Sequence, residues 1–251
     1  PRSPRPGNEA AWARDQLFPF YRRMIQRLRA DGYDGPVWVD PVGPHVSPLG
    51  DDQVVLAPHV YTDVYTGSGP TGATAGNLRR EYARLHEQAR ALGAALVPGE
   101  FAGAGGGTWE SYRRWQLDEQ DARRTGGIVW VWKQHPSKDY GWGVLHHDGR
   151  LRGGTDIAQD YGRARLRATS APVAEEGWRA GRLTVRTTGA GVVELWDGVA
   201  TGPAAPAAGA SPRLTLDGAA PPEAAVERVA VAAPLQDASA WAGGRILRVR
   251  V

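Results

Sequence analysis

Apolar side chains recur at helical spacing through residues 9 to 30, at Leu17, Phe20, Tyr21, Met24 and Leu28, while Arg22, Arg23, Arg27 and Arg29 take the other face. This period predicts an amphipathic helix. Gly35-Pro36 follows it, and the run VWVDP then reads as a short buried strand that ends at Asp40. VVLAPHVYT, over about residues 54 to 62, predicts a second strand. After a Gly-rich loop, Leu78, Tyr82, Leu85, Ala89 and Leu92 form the stripe of a second helix, which Gly93 stops. ALVPGEF predicts a third strand. GAGGGT, residues 103 to 108, leads to Thr108, which suits an N-cap, and to a helix reaching about Arg124. GGIVWVWKQ predicts the fourth strand.

The last three strands, about 30 to 40 residues apart with helices between them, imply parallel pairing through right-handed crossovers, as in an α/β sheet or barrel. Their apolar character on both faces fits that placement. From about Ser170 the pattern changes to short alternating runs, RLTVRT, VVELWDG, PRLTLDG and RILRVRV, separated by Gly, Pro and Ala. Residues 172 to 251 therefore read as a small antiparallel β-sandwich, following an α/β part over residues 1 to 168. Within it, GPAAPAAGAS is a low-complexity loop.

Composition agrees with a folded chain. Of the 251 residues, 41% are hydrophobic and 23% charged, and 10 Trp with 8 Tyr supply large apolar surfaces that a natively unfolded chain lacks. No run approaches the roughly 20 apolar residues that span a bilayer. Thirty basic residues against 27 acidic ones leave a net charge of +3 scattered along the chain, without the basic stripe that nucleic acid demands. With no Cys there is neither a disulfide framework nor a thiolate metal site. The start, PRSPRPGNEA, has no apolar signal core, so secretion is neither indicated nor excluded.

Every predicted α/β strand ends in groups able to do chemistry: Asp40, then His59 and Tyr61, then Glu100, then Trp130 and Trp132. The C-terminal ends of parallel strands are where α/β barrels and open sheets build their sites. Residues two apart on a strand share a face, so His59 is aimed with Tyr61, and Trp130 with Trp132. A strand-end carboxylate such as Glu100 among aromatic walls suits glycoside hydrolysis, where one carboxylate attacks or stabilises the sugar centre and another acid protonates the leaving oxygen. Plainer roles stand beside these. Glu100 can be a satisfied surface residue, His59 a hydrogen-bonded core histidine, Trp132 barrel filling and Asp40 a salt-bridge partner.

VVLAPHVYT, LVPGEF and IVWVWK, in this order and at these spacings, resemble the sixth, seventh and eighth strands of family-five retaining glycoside hydrolases. The likeness is greatest to the endoglycoceramidase-related branch, whose members carry a small β-sandwich after a (β/α)8 barrel. It extends over nearly the whole chain, including the tail from DYGRARLR onward. The resemblance implies that Glu100 is the nucleophile, that His59 and Tyr61 line the subsite of the reacting sugar, and that Trp130 is its aromatic floor. It also implies a carbohydrate or glycolipid substrate and no metal or organic cofactor.

One departure matters. The family takes its second carboxyl group from an Asn-Glu-Pro motif ending the fourth strand, and this chain offers only Asn8-Glu9 followed by Ala10. The Pro-rich stretch before it cannot be a strand, and Glu9 at the start of a helix has a favourable place against the helix dipole. The acid/base is therefore either Glu9 or a Glu upstream of Pro1. A (β/α)8 barrel takes about 250 residues, and the α/β part here supplies about 165 residues and four strands. The expectation is a partial barrel, either the C-terminal part of a longer enzyme or a degraded, non-catalytic relative, that hydrolyses nothing by itself. Half a barrel exposes strand edges and apolar interior, which favours a missing half or a second copy as partner.

Other signals carry less. GAGGGT lacks the full dinucleotide-loop pattern and fits an active-site loop better. His146-His147-Asp148 suggests a metal site, but neighbouring strand residues point to opposite faces, and Asp148-Gly149 is a hairpin turn signature. Trp178, Trp196 and Trp241 in the tail read as core residues, with a peripheral approach to lipid left open.

Overall fold

The computed structural model describes residues 7–64, 72–101, 108–138, 142–150, 152, 155–179, 182–196, 226–229 and 246–251. The chain forms two compact units, one of Pro1–Ala102 with Thr125–Trp130, the other of Gly103–Arg124 with Val131–Val251. GPAAPAAGAS, most of GAGGGT, and Trp241 lie outside the described residues.

The first unit opens with a helical run made of α1 (Glu9–Trp12), a π-helical turn (Ala13–Leu17) and α2 (Phe18–Ala30). Pro19 has no N–H to give the carbonyl of Asp15, and the wider turn just before it accommodates that loss. The buried stripe corrects the expected one. Phe18 and Ile25 are buried, whereas Met24 is 44% exposed. Two stripes sharing Leu17, Tyr21 and Leu28 satisfy helical spacing equally, and packing selects the one through Phe18 and Ile25. Part of the arginine face is also engaged. Arg22 donates to the Pro48 carbonyl at 2.7 Å, and Arg29 forks onto Asp51 while donating to the carbonyls of Tyr33 and Gly35.

Strands β1 (Val37–Val39), β2 (Val54–Leu56), β3 (His59–Val60), β4 (Ala95–Leu96) and β5 (Glu100–Phe101) are all parallel, in the orders β1-β2-β4 and β3-β5. Each of the second and third expected strands is thus split in two, at Ala57-Pro58 and at Val97-Pro98-Gly99. Proline cannot donate to the ladder. Pairing nonetheless continues across both breaks, because Val97 N–H donates to the Leu56 carbonyl at 3.0 Å and Gly99 N–H to the Pro58 carbonyl at 2.9 Å. A Cβ on Gly99 would lie 2.7 Å from the Ala57 carbonyl oxygen, so this crossing requires glycine.

Helix α3 (Ala75–Leu92) packs on β4, with Leu78, Tyr82, Leu85, Ala89 and Leu92 all buried. Each of the leucines contributes about 1.5–3 kcal/mol when fully buried. Thr74 caps the helix by accepting the Asn77 N–H at 3.1 Å, and Gly93 ends it at φ 66°. One sheet face, with Val39, Val54, Leu56 and Leu96, is buried. The register sets Trp38 beside Val55 on the other face, where Trp38 is 47% exposed.

The expected fourth strand is also corrected. Among the described residues it makes only isolated parallel bridges, Val129 to Phe101 and Lys133 to Leu145. Within the first unit, Phe101 N–H donates to the Ile128 carbonyl and Trp130 N–H to the Phe101 carbonyl.

The second unit contains α4 (Thr108–Arg123), α5 (Thr155–Gly162) and strands β6 (Arg165–Thr169), β7 (Val173–Arg179), β8 (Arg182–Thr187), β9 (Val192–Trp196), β10 (Val226–Val229) and β11 (Ile246–Arg250). These strands pair antiparallel, in the order β10-β11-β9-β6 and as a β7-β8 hairpin. The first of them already begins at Arg165. Between the helices, Arg113 is only 1% exposed and pairs with Asp160 at 2.6 Å. Trp178 and Trp196 are part-buried, and the Trp196 indole N–H donates to the Gly162 carbonyl at 3.3 Å. The segment around His146-His147 turns back at Gly149 (φ 88°), with His146 N–H donating to the Arg150 carbonyl at 2.8 Å.

Candidate active site

Parallel pairing of β3 with β5 sets His59 directly beside Glu100. Val60 and Phe101, the next pair, point the opposite way and are buried at 1% and 2% exposure. That alternation fixes the face on which His59 and Glu100 stand. Tyr61, two residues beyond His59, comes to the same side and donates its hydroxyl to Oε2 of Glu100 at 2.9 Å. His59 Nδ1 lies 3.3 Å from the same oxygen, and His59 Nε2 lies 3.9 Å from Oδ2 of Asp40, just past the end of β1. Three strand ends therefore converge on one imidazole.

The carboxylate of Glu100 is the most sheltered of the three ionisable groups, its side chain 23% exposed against about half for His59 and Asp40. Both contacts fall on Oε2, and Oε1 has no partner among the described residues. Burial, the largest influence, raises the Asp40 carboxyl above its usual range; His59 opposes this and the charge of Glu100 adds to it. Tyr21 of α2 donates its hydroxyl to the Asp40 carbonyl at 2.8 Å, and burial raises the phenol, with Asp40 adding to the rise.

Trp130 follows the Val129–Phe101 bridge. Strand parity puts it on the face opposite to Phe101, which is the face of Glu100, and it is 50% exposed. Trp132 belongs to the second unit, where its carbonyl accepts the Leu145 N–H at 2.8 Å, and its residue is 40% exposed. Glu9 stands in the first turn of α1 and accepts the Gly7 N–H at 3.0 Å.

Two participants are less visible in the sequence. Asp40 has the salt-bridge place considered for it, but its partner is the site histidine. Tyr21, placed on an apolar helix stripe, has a polar tip that reaches the same strand end, and its hydroxyl was the only signal of that. After Tyr61 the chain turns through Asp63, at φ 62°, whose carboxylate accepts the Asn77 side-chain N–H at 2.6 Å. This ties the strand end to the first turn of α3.

Two solved structures are similar to the chain over nearly its full length. One is described as an endogalactoceramidase: the TM-score is 0.62 at 22% identity, over 96% of this chain and 52% of that one. The other is endo-glycoceramidase II from Rhodococcus sp., described as a lactosyl-enzyme intermediate: the TM-score is 0.61 at 17% identity, over 99% of this chain and 57% of that one. The chain thus spans about half the length of the structures it matches. No protein-family model matches it, and neither does any curated protein. The fold of this chain is therefore similar to part of the fold of these two structures. The particular likeness is to the endoglycoceramidases, the branch to which the sequence resemblance pointed.

Proposed function

We propose that the chain carries the nucleophile half of a retaining β-glycosidase site, acting on a glycolipid or related β-glycoside. Glu100 is the nucleophile. The observation that carries this reading is the asymmetric treatment of its carboxylate: Tyr61 and His59 both address Oε2, which orients the group and leaves Oε1 to attack. In such a reaction Oε1 bonds to the anomeric carbon as the glycosidic C–O bond breaks, and a second carboxyl group protonates the departing oxygen. That group then takes a proton from water as the water oxygen bonds to the anomeric carbon and the bond to Oε1 breaks, which releases the sugar and restores the Glu100 carboxylate. A glycosyl-enzyme of this kind is what the description of the Rhodococcus structure names. The chemistry needs neither metal nor organic cofactor.

His59 and Tyr61 also line the sugar subsite, with Trp130 as its floor, since an indole face packs well against the C–H face of a pyranose. Trp132 is a further substrate contact. The acid/base is a second carboxyl group, either Glu9, whose Oε1 accepts the Gly7 N–H at its helix start, or a Glu upstream of Pro1. Residues 172 to 251 form the β-sandwich that accompanies a barrel ending near residue 168.

In a polypeptide containing this chain and the remaining barrel units, Glu100→Gln abolishes turnover of a β-glycoside while sugar binding is largely kept. Retained turnover would remove Glu100 from the nucleophile role. This chain alone is expected not to turn over an aryl β-glucoside, and measurable hydrolysis would overturn its incompleteness.

A non-catalytic sugar-binding remnant is the second reading. It is favoured by Asp40 being the only other carboxyl group that faces His59 among the described residues. Coding sequence upstream of Pro1 that lacks further strand-helix units and an Asn-Glu-Pro would decide for it.

A further inference from the structure

The side chains of Asp40 and His59 stand side by side without bonding to each other. Oδ2 of Asp40 lies 3.9 Å from Nε2 of His59, beyond the reach of a hydrogen bond. Each side chain is nearly half exposed, 47% for Asp40 and 46% for His59. Among the described residues neither the Asp40 carboxylate nor Nε2 of His59 has a hydrogen-bond partner. The backbone that carries them, by contrast, is held. Val39 and Leu56 pair in register, Ala57 N–H donates to the Val39 carbonyl at 2.8 Å, and the Asp40 carbonyl accepts the Tyr21 hydroxyl at 2.8 Å. Nδ1 of His59 is turned to Glu100 at 3.3 Å, which aims Nε2 away from that carboxylate. Two unpaired polar atoms on a fixed frame, both open to solvent, are what a ligand's polar groups require.

The kind of ligand follows from what each atom can donate or accept. An ionised carboxylate only accepts, an imidazole nitrogen does either according to its protonation, and a hydroxyl does both. A ligand carboxylate or phosphate meets repulsion from Asp40 and Glu100, and an ammonium group opposes an N–H on Nε2. Two neighbouring hydroxyls satisfy both atoms whichever nitrogen of His59 holds the proton. One donates to Asp40, and the other accepts from Nε2 or donates to it. Neighbouring ring hydroxyls of a pyranose stand about one hydrogen-bond length apart, so their bonds splay only a little to reach atoms separated by 3.9 Å.

We infer that Asp40 is a substrate-binding residue: its carboxylate and Nε2 of His59 clamp two neighbouring hydroxyls of the bound glycoside, one each. This deepens the sugar-site reading and rests on it, but it does not need Glu100 to be the nucleophile, since a sugar-binding remnant would use the same clamp. A hydrogen bond to a charged acceptor is stronger than one between neutral groups. A sugar that lacks the hydroxyl meeting Asp40, or carries it in the other configuration, leaves the carboxylate unmet and is discriminated against.

Binding of an aryl thio-β-glucoside and an aryl thio-β-galactoside, which resist cleavage, tests this in the polypeptide that contains this chain and the remaining barrel units. Titration calorimetry compares each sugar with its monodeoxy forms, one ring hydroxyl removed at a time. Asp40→Ala is expected to weaken binding of the better sugar by about 10- to 100-fold. The variant should also be indifferent to the loss of one hydroxyl whose removal weakens binding to the wild type. His59→Phe, which keeps a ring without nitrogens, should be indifferent to the hydroxyl next to that one. An unchanged Kd for Asp40→Ala, deoxy losses equal in variant and wild type at every position, or coupling of the two residues to hydroxyls that are not neighbours would overturn the clamp. Should Asp40→Ala not fold, Asp40→Asn, which keeps the shape without the charge, is read in the same comparison with the same outcomes. A wild type that binds neither sugar would overturn the sugar-site reading together with the clamp. Turnover surviving Glu100→Gln, by contrast, would remove the nucleophile assignment and leave the clamp standing.

Discussion

Tyr61 and Glu100, 39 residues apart in the chain, are joined by a 2.9 Å hydrogen bond from phenol to carboxylate. The bond exists because β3 and β5 pair in parallel with His59 opposite Glu100, which leaves Tyr61 one step beyond the pair on the same side. It fixes one oxygen of the carboxylate and therefore the direction of the other.

Removing the phenol tests that relationship. Tyr61→Phe keeps the ring and is expected to cost only about 1 kcal/mol of stability, as for a typical lost hydrogen bond. In a catalytically complete polypeptide we expect kcat to fall by about 10- to 100-fold, or about 1.4–2.7 kcal/mol of barrel-site transition-state stabilisation, with KM changed little. Steady-state kinetics on a β-glycoside checks this; an unchanged kcat would show that Glu100 needs no such orientation.

Gly99→Ala probes the strand crossing beneath the site. The added Cβ would lie 2.7 Å from the Ala57 carbonyl oxygen and 3.3 Å from the Ala57 side chain, so backbone must shift. A destabilisation of about 1–3 kcal/mol is expected, as for other overpacked positions. Urea unfolding would reveal it as a lowered midpoint, and a midpoint equal to the wild type would contradict the close approach.

Arg113 and Asp160 form a buried pair between α4 and α5, with Arg114 also on Asp160 at 3.0 Å. Asp160→Leu leaves the Arg113 guanidinium almost fully buried without this partner, and a loss of about 3–5 kcal/mol is expected. Arg113→Met with Asp160→Leu should recover a substantial part of that loss, because the charge goes with its counter-charge. Denaturant titration of the single and double variants checks the sign of the coupling.

Asp121 and Glu176 give the second unit a pH dependence. Burial is the leading influence on each and raises both carboxyl groups above their usual range; at Asp121 the Arg163 charge opposes it, and at Glu176 the hydrogen bond from the Leu166 N–H does. The folded state therefore holds these protons more tightly than the unfolded chain. Their contribution is full below the ordinary carboxylate value of about 4 and is lost as pH rises through the folded-state values. Asp121→Asn with Glu176→Gln, neutral at every pH, should gain stability relative to the wild type as pH rises from about 4 to 7. Urea midpoints across that range test it; a difference independent of pH would refute the shifts.

Much of the site was legible because strands impose parity. His59 with Tyr61, and Glu100 after Gly99, were readable as strand-end groups without knowing which strands were neighbours. The helix stripe of α3 was readable for the same kind of reason, since only one set of apolar positions met the period. In α2 two sets met it, and the pattern selected Met24 where packing buries Ile25. Pro58 and Pro98 were visible too, yet their consequence, two strands each broken into two short pieces, depends on how the ladder is carried across the gaps. The fourth strand had the composition of a strand, but forming one needs partners for its backbone groups, and only bridges form.

Local order along the chain thus determined the residue types, their period and which side chains could share a face, because those follow from backbone geometry within a few residues. Only the tertiary structure decided that Glu100 meets His59 in register, that both contacts fall on a single carboxylate oxygen, and that Asp40 stands on the far side of the same ring. Those relationships join three strand ends distant in sequence. Pairing register and packing set their distances, and no pattern of neighbours along the chain encodes them.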